Sequence, residues 1–263
     1  MTDTAPVVPS LRDLFLREPF LVGTWLTILD PTVPELLAGS GFDFLVADGE
    51  HGPIATSDLV TILIATRAAG VPVLHRVGAN EPIRIMHALD AGASGVIVPR
   101  IRTVADAEHA ASWCRYPPRG TRGFGPRRAA SYGRQSAEYL GAADSLVTCC
   151  IQIETREALD DLDSLLAVPG VDAVLIGPND LAAALGHIGD LGHEDVEGAI
   201  AYVQRQARQA GVPAGIWTPS VEVASRRREQ GFTFVTVSSD YRFMAAAADA
   251  AVSSLKPSGT SVR

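Results

Sequence analysis

The strongest constraint on this chain is a rhythm. Eight short apolar runs of strand type alternate with helical segments, mostly about 20 to 25 residues apart. The runs are Leu21–Thr27, Phe44–Ala47, Val71–His75, Gly95–Val98, Val147–Ile153, Ala173–Ile176, Val212–Ile216 and Phe232–Val237. Leu11–Arg17 precedes them as a short amphipathic helix, and helical spacing fills most of the gaps, ending with Arg242–Leu255. Strands so continuously apolar are buried on both faces, which is how a parallel sheet covered by helices reads. Eight units favour closure over an open doubly wound sheet, and 263 residues suit one barrel of about 250. The expectation is an α/β chain, a (β/α)8 TIM barrel forming a single domain over 1–263, with 1–10 and 256–263 as flexible tails.

In such a barrel chemistry gathers at the C-terminal ends of the strands. Polar residues fall there on five runs: Trp25; Asp48 with His51; Arg76; Gln152 with Glu154; and Asp180. Glu154 and Asp180 follow neighbouring strands, and two carboxylates so placed can hold a hard divalent cation through oxygen. The plainer readings are a first-turn helix acid and an N-cap. Gln152 and Glu154 share a face because strand side chains alternate. Asn179-Asp180 opens a helix whose free N–H groups suit an anion. Asp48 and His51 are spaced to form a carboxylate–imidazole dyad, or a turn in which Asp48 binds its own backbone, with Glu50 as a rival acid. Arg76 ends an apolar strand and needs an anion there, either a ligand or a loop carboxylate.

Composition removes whole classes. A net charge of −8 argues against nucleic acid and anionic membrane as partners. Met1–Ser10 lacks the basic-then-apolar pattern of a signal peptide, and no apolar run approaches the roughly 18 to 20 residues that span a bilayer. The three cysteines, Cys114, Cys149 and Cys150, form no C-x-x-C and read as buried packing thiols, which fits a reducing cytoplasm. Nucleotide-binding glycine motifs are absent. Lys256 is the only lysine and lies near the C-terminus, a poor place for an imine-forming amine. His75, His87, His109, His187 and His193 show no ligand spacing, and Arg226-Arg227-Arg228 reads as a solvated helix face. The basic, glycine-rich link Arg115–Tyr139 suits either a mobile lid or an intersubunit loop.

With these residues in view the chain resembles the HpcH/HpaI aldolase family. The matching pieces are Gly23-Thr24-Trp25, Asp48-Gly49-Glu50-His51-Gly52-Pro53, His75-Arg76-Val77, Leu89-Asp90-Ala91-Gly92-Ala93, Pro117-Pro118-Arg119-Gly120-Thr121-Arg122-Gly123, Gln152-Ile153-Glu154-Thr155 and Gly177-Pro178-Asn179-Asp180-Leu181. The resemblance implies a class II pyruvate aldolase that uses Mg2+, Mn2+, Co2+ or a similar ion. It would join pyruvate and an aldehyde into a 4-hydroxy-2-oxo acid, or cleave that acid, as a homo-oligomer, usually a hexamer. It implies Glu154 and Asp180 as metal ligands, Gln152 as a nearby hydrogen-bonding residue, and Arg76 on the keto oxygen. It further implies His51 paired with Asp48 as acid/base, and Asp90 at a subunit interface near the site. Trp25 and Asn179 would border the substrate; Asn179 stands where the family often has a smaller residue, so the aldehyde is open. A citryl-CoA-type or phosphoenolpyruvate-using lyase, and a non-catalytic barrel, are the rival readings.

Overall fold

The computed structural model describes residues 8–256. Eight parallel strands, β1 (Leu21–Leu26), β2 (Phe44–Asp48), β3 (Val73–Arg76), β4 (Gly95–Val98), β5 (Thr148–Ile153), β6 (Ala173–Ile176), β7 (Ala214–Thr218) and β8 (Phe234–Ser239), close in sequence order, with β8 against β1. The closed (β/α)8 barrel expected from the rhythm is the fold observed, with strand ends shifted by one or two residues.

Helices return the chain between strands: α1 (Leu11–Arg17), α2 (Thr32–Ala38), α3 (Thr56–Ala65), α4 (Pro82–Ala91), α5 (Val104–Cys114), α6 (Ser136–Leu146), α7 (Arg156–Asp160), α8 (Leu162–Leu166), α9 (Pro178–Ala184), α10 (Glu194–Ala210), α11 (Val221–Glu229) and α12 (Asp240–Leu255). The outer apolar layer lies between these helices and the outward strand residues; a second, smaller core fills the barrel. At its foot α1 acts as a plug. Phe15 stacks on Phe234 at 4.6 Å and meets Phe44 edge-on at 6.4 Å. Gly23 has a steric reason: a Cβ there would clash with the ring edge of Phe44. Up the inner face the residues change from mainly apolar (Leu21, Phe44, Leu74, Phe234) to charged and amide side chains at the mouth (Asp48, Arg76, Gln152).

Three expectations are corrected. The segment expected as an N-terminal tail is anchored at least at Ser10, which is buried and donates its hydroxyl to the Ser145 carbonyl at 3.0 Å; residues 1–7 and 257–263 lie outside the described residues. Arg227 is not solvated: it is buried and forks onto Glu197 at 2.6 and 2.7 Å. The 115–139 link cannot cover its own barrel's mouth. It connects the lower end of α5 to the start of β5, and it is fastened at the foot by Arg128 donating to the carbonyls of Ala91 and Leu63, both at 3.0 Å. Its last residues belong to α6, which polar and glycine-rich spacing concealed. Among the described residues no helix is long and apolar enough to cross a membrane, and all three cysteines are free and buried.

Candidate active site

Strand register builds the centre of the mouth. Asp48 and Arg76 are register partners on β2 and β3, so their side chains leave the sheet on one face. Arg76 Nε donates to Asp48 Oδ1 at 2.9 Å and Nη2 to Oδ2 at 2.7 Å, a two-pronged pair in which both residues are buried. Glu50 Oε2 lies 3.2 Å from Arg76 Nη1, and the guanidinium sits 4.4 Å over the Trp25 ring. Trp25 is itself fixed by its Nε1 donating to Thr236 Oγ1 at 2.7 Å. Burial pushes the Asp48 carboxyl up, but the Arg76 fork and the N–H groups of Glu50 and His51 outweigh it and hold its pKa below the usual range.

The Asp48–His51 side-chain dyad expected from the sequence is not formed in this arrangement. Asp48 meets His51 through the backbone, the His51 N–H donating to Oδ1 at 3.3 Å, as in the turn reading. Its carboxylate is occupied by Arg76, and the His51 side chain stands exposed at the rim of the cavity.

Across the mouth, Gln152 and Glu154 rise together from β5, as alternation requires. Gln152 Nε2 donates to Glu154 Oε2, and the Arg100 N–H donates to Glu154 Oε1 at 2.7 Å. Arg100 reaches that oxygen with a left-handed backbone, φ 57°, and its side chain Nε contacts Glu50 Oε1 at 3.2 Å. Gly177 makes room: a Cβ there would lie 2.6 Å from Gln152 Nε2 and 2.8 Å from Glu154 Oε2. Burial raises the pKa of Glu154, and the charges of Glu50 and Asp180 raise it further against the Arg100 and Gln152 hydrogen bonds. Asn179 and Asp180, in the first turn of α9, border the same cavity and are exposed.

The donor set therefore suits a hard divalent cation. Glu154 and Asp180 have no cationic side-chain partner among the described residues, the charge of Asp180 acts on Glu154, and Gln152 Oε1 is buried with no hydrogen-bond partner among the described residues. A separate cluster of His187, His193 and Asp195 brings its ligating atoms within 4.8 Å of one another. Its two imidazoles stack at 3.4 Å, so their in-plane lone pairs run side by side rather than converging on one ion. There the His193 Nδ1 accepts the Asp195 N–H at 3.2 Å as the cap of α10.

The cavity, about 340 Å³, is bordered by Trp25, Asp48, His51, Arg76, Gln152, Asn179 and Asp180, among others. It lies in the size range of small-molecule sites. Asp90 is not among them. It sits at the lower end of α4 and accepts from the buried Arg122 at 2.7 Å. Sequence reasoning passed over Arg100, Trp217, Asp240 and Arg242. Asp240 was findable by the strand-end rule; it follows β8 and accepts from the N–H groups of Thr27 and Ile28 at 2.6 and 2.7 Å, tying the β1 loop to the mouth. Arg100 acts through its backbone N–H, which no residue type announces.

Residues 21–247 match the HpcH/HpaI aldolase/citrate lyase family. A 2-dehydro-3,6-dideoxy-6-sulfogluconate aldolase of Pseudomonas putida is 39% identical over 91% of this chain and 94% of its own. A 5-keto-4-deoxy-D-glucarate aldolase of Shigella boydii is 36% identical over 90% and 93%. The crystal structure of a HpcH/HpaI aldolase/citrate lyase family protein from Burkholderia cenocepacia superposes with a TM-score of 0.89 at 38% identity, covering 94% of this chain and 98% of that one. Matched along nearly its whole barrel, and sharing over a third of its sequence with relatives it covers almost end to end, the chain belongs to the HpcH/HpaI aldolase/citrate lyase family and is an enzyme of the class II aldolase kind.

Proposed function

We propose that this aldolase reversibly cleaves 4-hydroxy-2-oxo acids of the 2-keto-3-deoxy type into pyruvate and an aldehyde, with a divalent ion, Mg2+, Mn2+ or Co2+, held by Glu154 and Asp180. The observation that carries the reading is the pairing in one mouth of a buried, pre-aimed guanidinium with a crowded carboxylate set facing it. The names of the two relatives, both aldolases of deoxy oxo sugar acids, support the substrate class.

When bound, the cation supplies Lewis acidity at the 2-oxo group. The protein's own part is positioning. Arg100 N–H and Gln152 Nε2 hold both oxygens of Glu154. Asp48 and Trp25 fix the plane of Arg76, whose remaining N–H groups face the cavity where charge develops on the keto oxygen. His51, at the wet rim, takes the proton from the 4-hydroxyl as the carbon–carbon bond breaks and returns it in addition. Trp25 and Asn179 wall the substrate. An imine route has no support: Lys256, the only lysine, follows the last residue of α12, whose 16 residues span about 24 Å from the mouth.

A homo-oligomer, a hexamer, belongs to the same reading. Support comes from α12, where Met244, Val252 and Leu255 are 60%, 50% and 83% exposed. In such an assembly Asp90, at the foot of α4, is the interface residue. Free, buried thiols support a cytoplasmic setting.

The test is turnover of pyruvate with a panel of aldehydes across several divalent ions, before and after chelation. Activity lost on chelation and restored by Mg2+, Mn2+ or Co2+ is expected, with no labelling by borohydride and pyruvate. Full activity in verified metal-free enzyme would sink the mechanism and the Glu154/Asp180 assignment together.

A further inference from the structure

We infer that Arg242 is a receptor for a second anionic group, a carboxylate or sulfonate carried at the aldehyde end of the substrate. The inference rests on the reading above, and it names a class of aldehyde that the reading leaves open.

Arg242 is the third residue of α12, one turn past the end of β8, and it borders the same cavity as Arg76 and Asp180. It is exposed, yet its guanidinium has aromatic neighbours. Its guanidinium lies 5.3 Å from the Trp217 ring centroid and 5.6 Å from that of Tyr241, and its Nε donates to the Tyr241 hydroxyl at 3.0 Å. Trp217 is fixed in turn, its Nε1 donating to the Ser238 carbonyl at 3.3 Å. A guanidinium held by aromatic faces keeps its planar fork aimed, so less side-chain entropy is lost when an anion binds. Its two Nη groups have no hydrogen-bond acceptor and no carboxylate partner among the described residues.

The charges around the cavity make that vacancy meaningful. Arg76 is matched by Asp48 and Glu50. Asp180 and Glu154 are the oxygen donors proposed for the cation. With Asp180 assigned to the cation, Arg242 is left, among the described residues, as a cation of the lining with no counter-charge. The 2-oxo acid end of the substrate belongs beside Arg76 and the carboxylates, on the β3–β6 side. Arg242 reaches in from the β7–β8 side, so the far half of the substrate meets it. Guanidinium and oxyanion match as a two-pronged, charge-assisted pair, and an aldehyde lacking the anion leaves the fork unpaired.

The experiment compares wild type, Arg242→Gln and Arg242→Lys in aldol addition with saturating pyruvate. The acceptors are a short aldehyde ending in a carboxylate, one ending in a sulfonate, and a neutral carboxamide of equal length. In Arg242→Gln, kcat/KM for the anionic acceptors should fall about 10- to 100-fold relative to the neutral one, with KM carrying most of the change, and Arg242→Lys should recover part of it. Loss on only one of the two anions assigns the subsite to that oxyanion. An unchanged ratio of anionic to neutral acceptors, whether both fall or neither does, overturns the inference. Wild-type exchange of the pyruvate methyl protons with D2O, measured without any aldehyde, reports the underlying enolate chemistry separately. Its absence would refute the proposed function itself, whereas its presence with an unchanged acceptor ratio refutes only the role of Arg242.

Discussion

Replacing Asp48 by Asn decides what that carboxylate serves. In the wild type both oxygens accept from Arg76, at 2.9 and 2.7 Å, with Asp48 only 4% and Arg76 only 7% exposed. Asn keeps the shape but removes the charge and turns one acceptor into a donor, so one prong of the fork faces an NH2 group. Removing one side of a buried pair costs about 3–5 kcal/mol. Glu50, 3.2 Å from Arg76 Nη1, still shields the guanidinium and sets the cost at the lower end, about 3 kcal/mol. At roughly 2–4 °C per kcal/mol for a domain of this size, the melting temperature should fall by roughly 6–12 °C. The Asp48 pKa is depressed, so this stabilisation is fully present above the unfolded carboxyl value and is lost as pH falls through the folded one. The gap between wild-type and variant melting curves should therefore be flat near neutrality and close only in acid. Loosening Arg76 should also raise KM for pyruvate. Calorimetry on metal-free protein and steady-state kinetics measure both. A melting temperature within about 1 °C of wild type, together with turnover reduced about 100-fold at unchanged KM, would return Asp48 to His51 and refute the reasoning.

Three further outcomes are expected. Arg76→Lys keeps a charge but loses the fork, and kcat/KM should fall at least about tenfold with the fold intact by circular dichroism; wild-type turnover would remove Arg76 from the site. His51→Ala should cost roughly 100-fold in turnover while metal affinity, read by titration calorimetry, barely moves; a large loss of metal would place His51 among the ligands instead. Gly177→Ala drives a methyl group to 2.6 Å from Gln152 Nε2 and 2.8 Å from Glu154 Oε2, and should weaken metal binding about tenfold or more, an effect that unchanged affinity in the same titration would refute.

The fold was legible because barrel closure needs only a count and an alternation, and both are written in apolar runs. The positions of Trp25, Arg76, Gln152 and Glu154 followed from the same source: a strand's end and its two-residue period fix which side chains reach the lumen. What stayed hidden acts without a side-chain signature. Arg100 contributes an N–H set by φ 57°, and Gly177 contributes the absence of a Cβ. The foot of the barrel was hidden for another reason. The basic link looked mobile because arginine and glycine are common in solvated loops. Yet Arg122 is buried between the Tyr116 and Tyr139 rings at 4.6 and 5.7 Å and pairs with Asp90, contacts that composition cannot foretell.

The Asp48 partner shows where sequence distance misleads in this architecture. His51 lies three residues away and shares a turn, which by sequence distance makes it the natural partner. Arg76 lies 28 residues away, yet parallel pairing of β2 with β3 sets it directly beside Asp48 on the same face. In a closed parallel barrel the residue that ends one strand has fixed neighbours at the ends of the two adjoining strands. A loop residue just beyond is free to turn outward, as His51 does. Charged residues at consecutive strand ends should therefore be paired with each other first, and with their loop neighbours only when the register leaves them alone. By that rule the carboxylate of Asp48 is taken up by Arg76, and the imidazole of His51 stands exposed at the rim of the cavity.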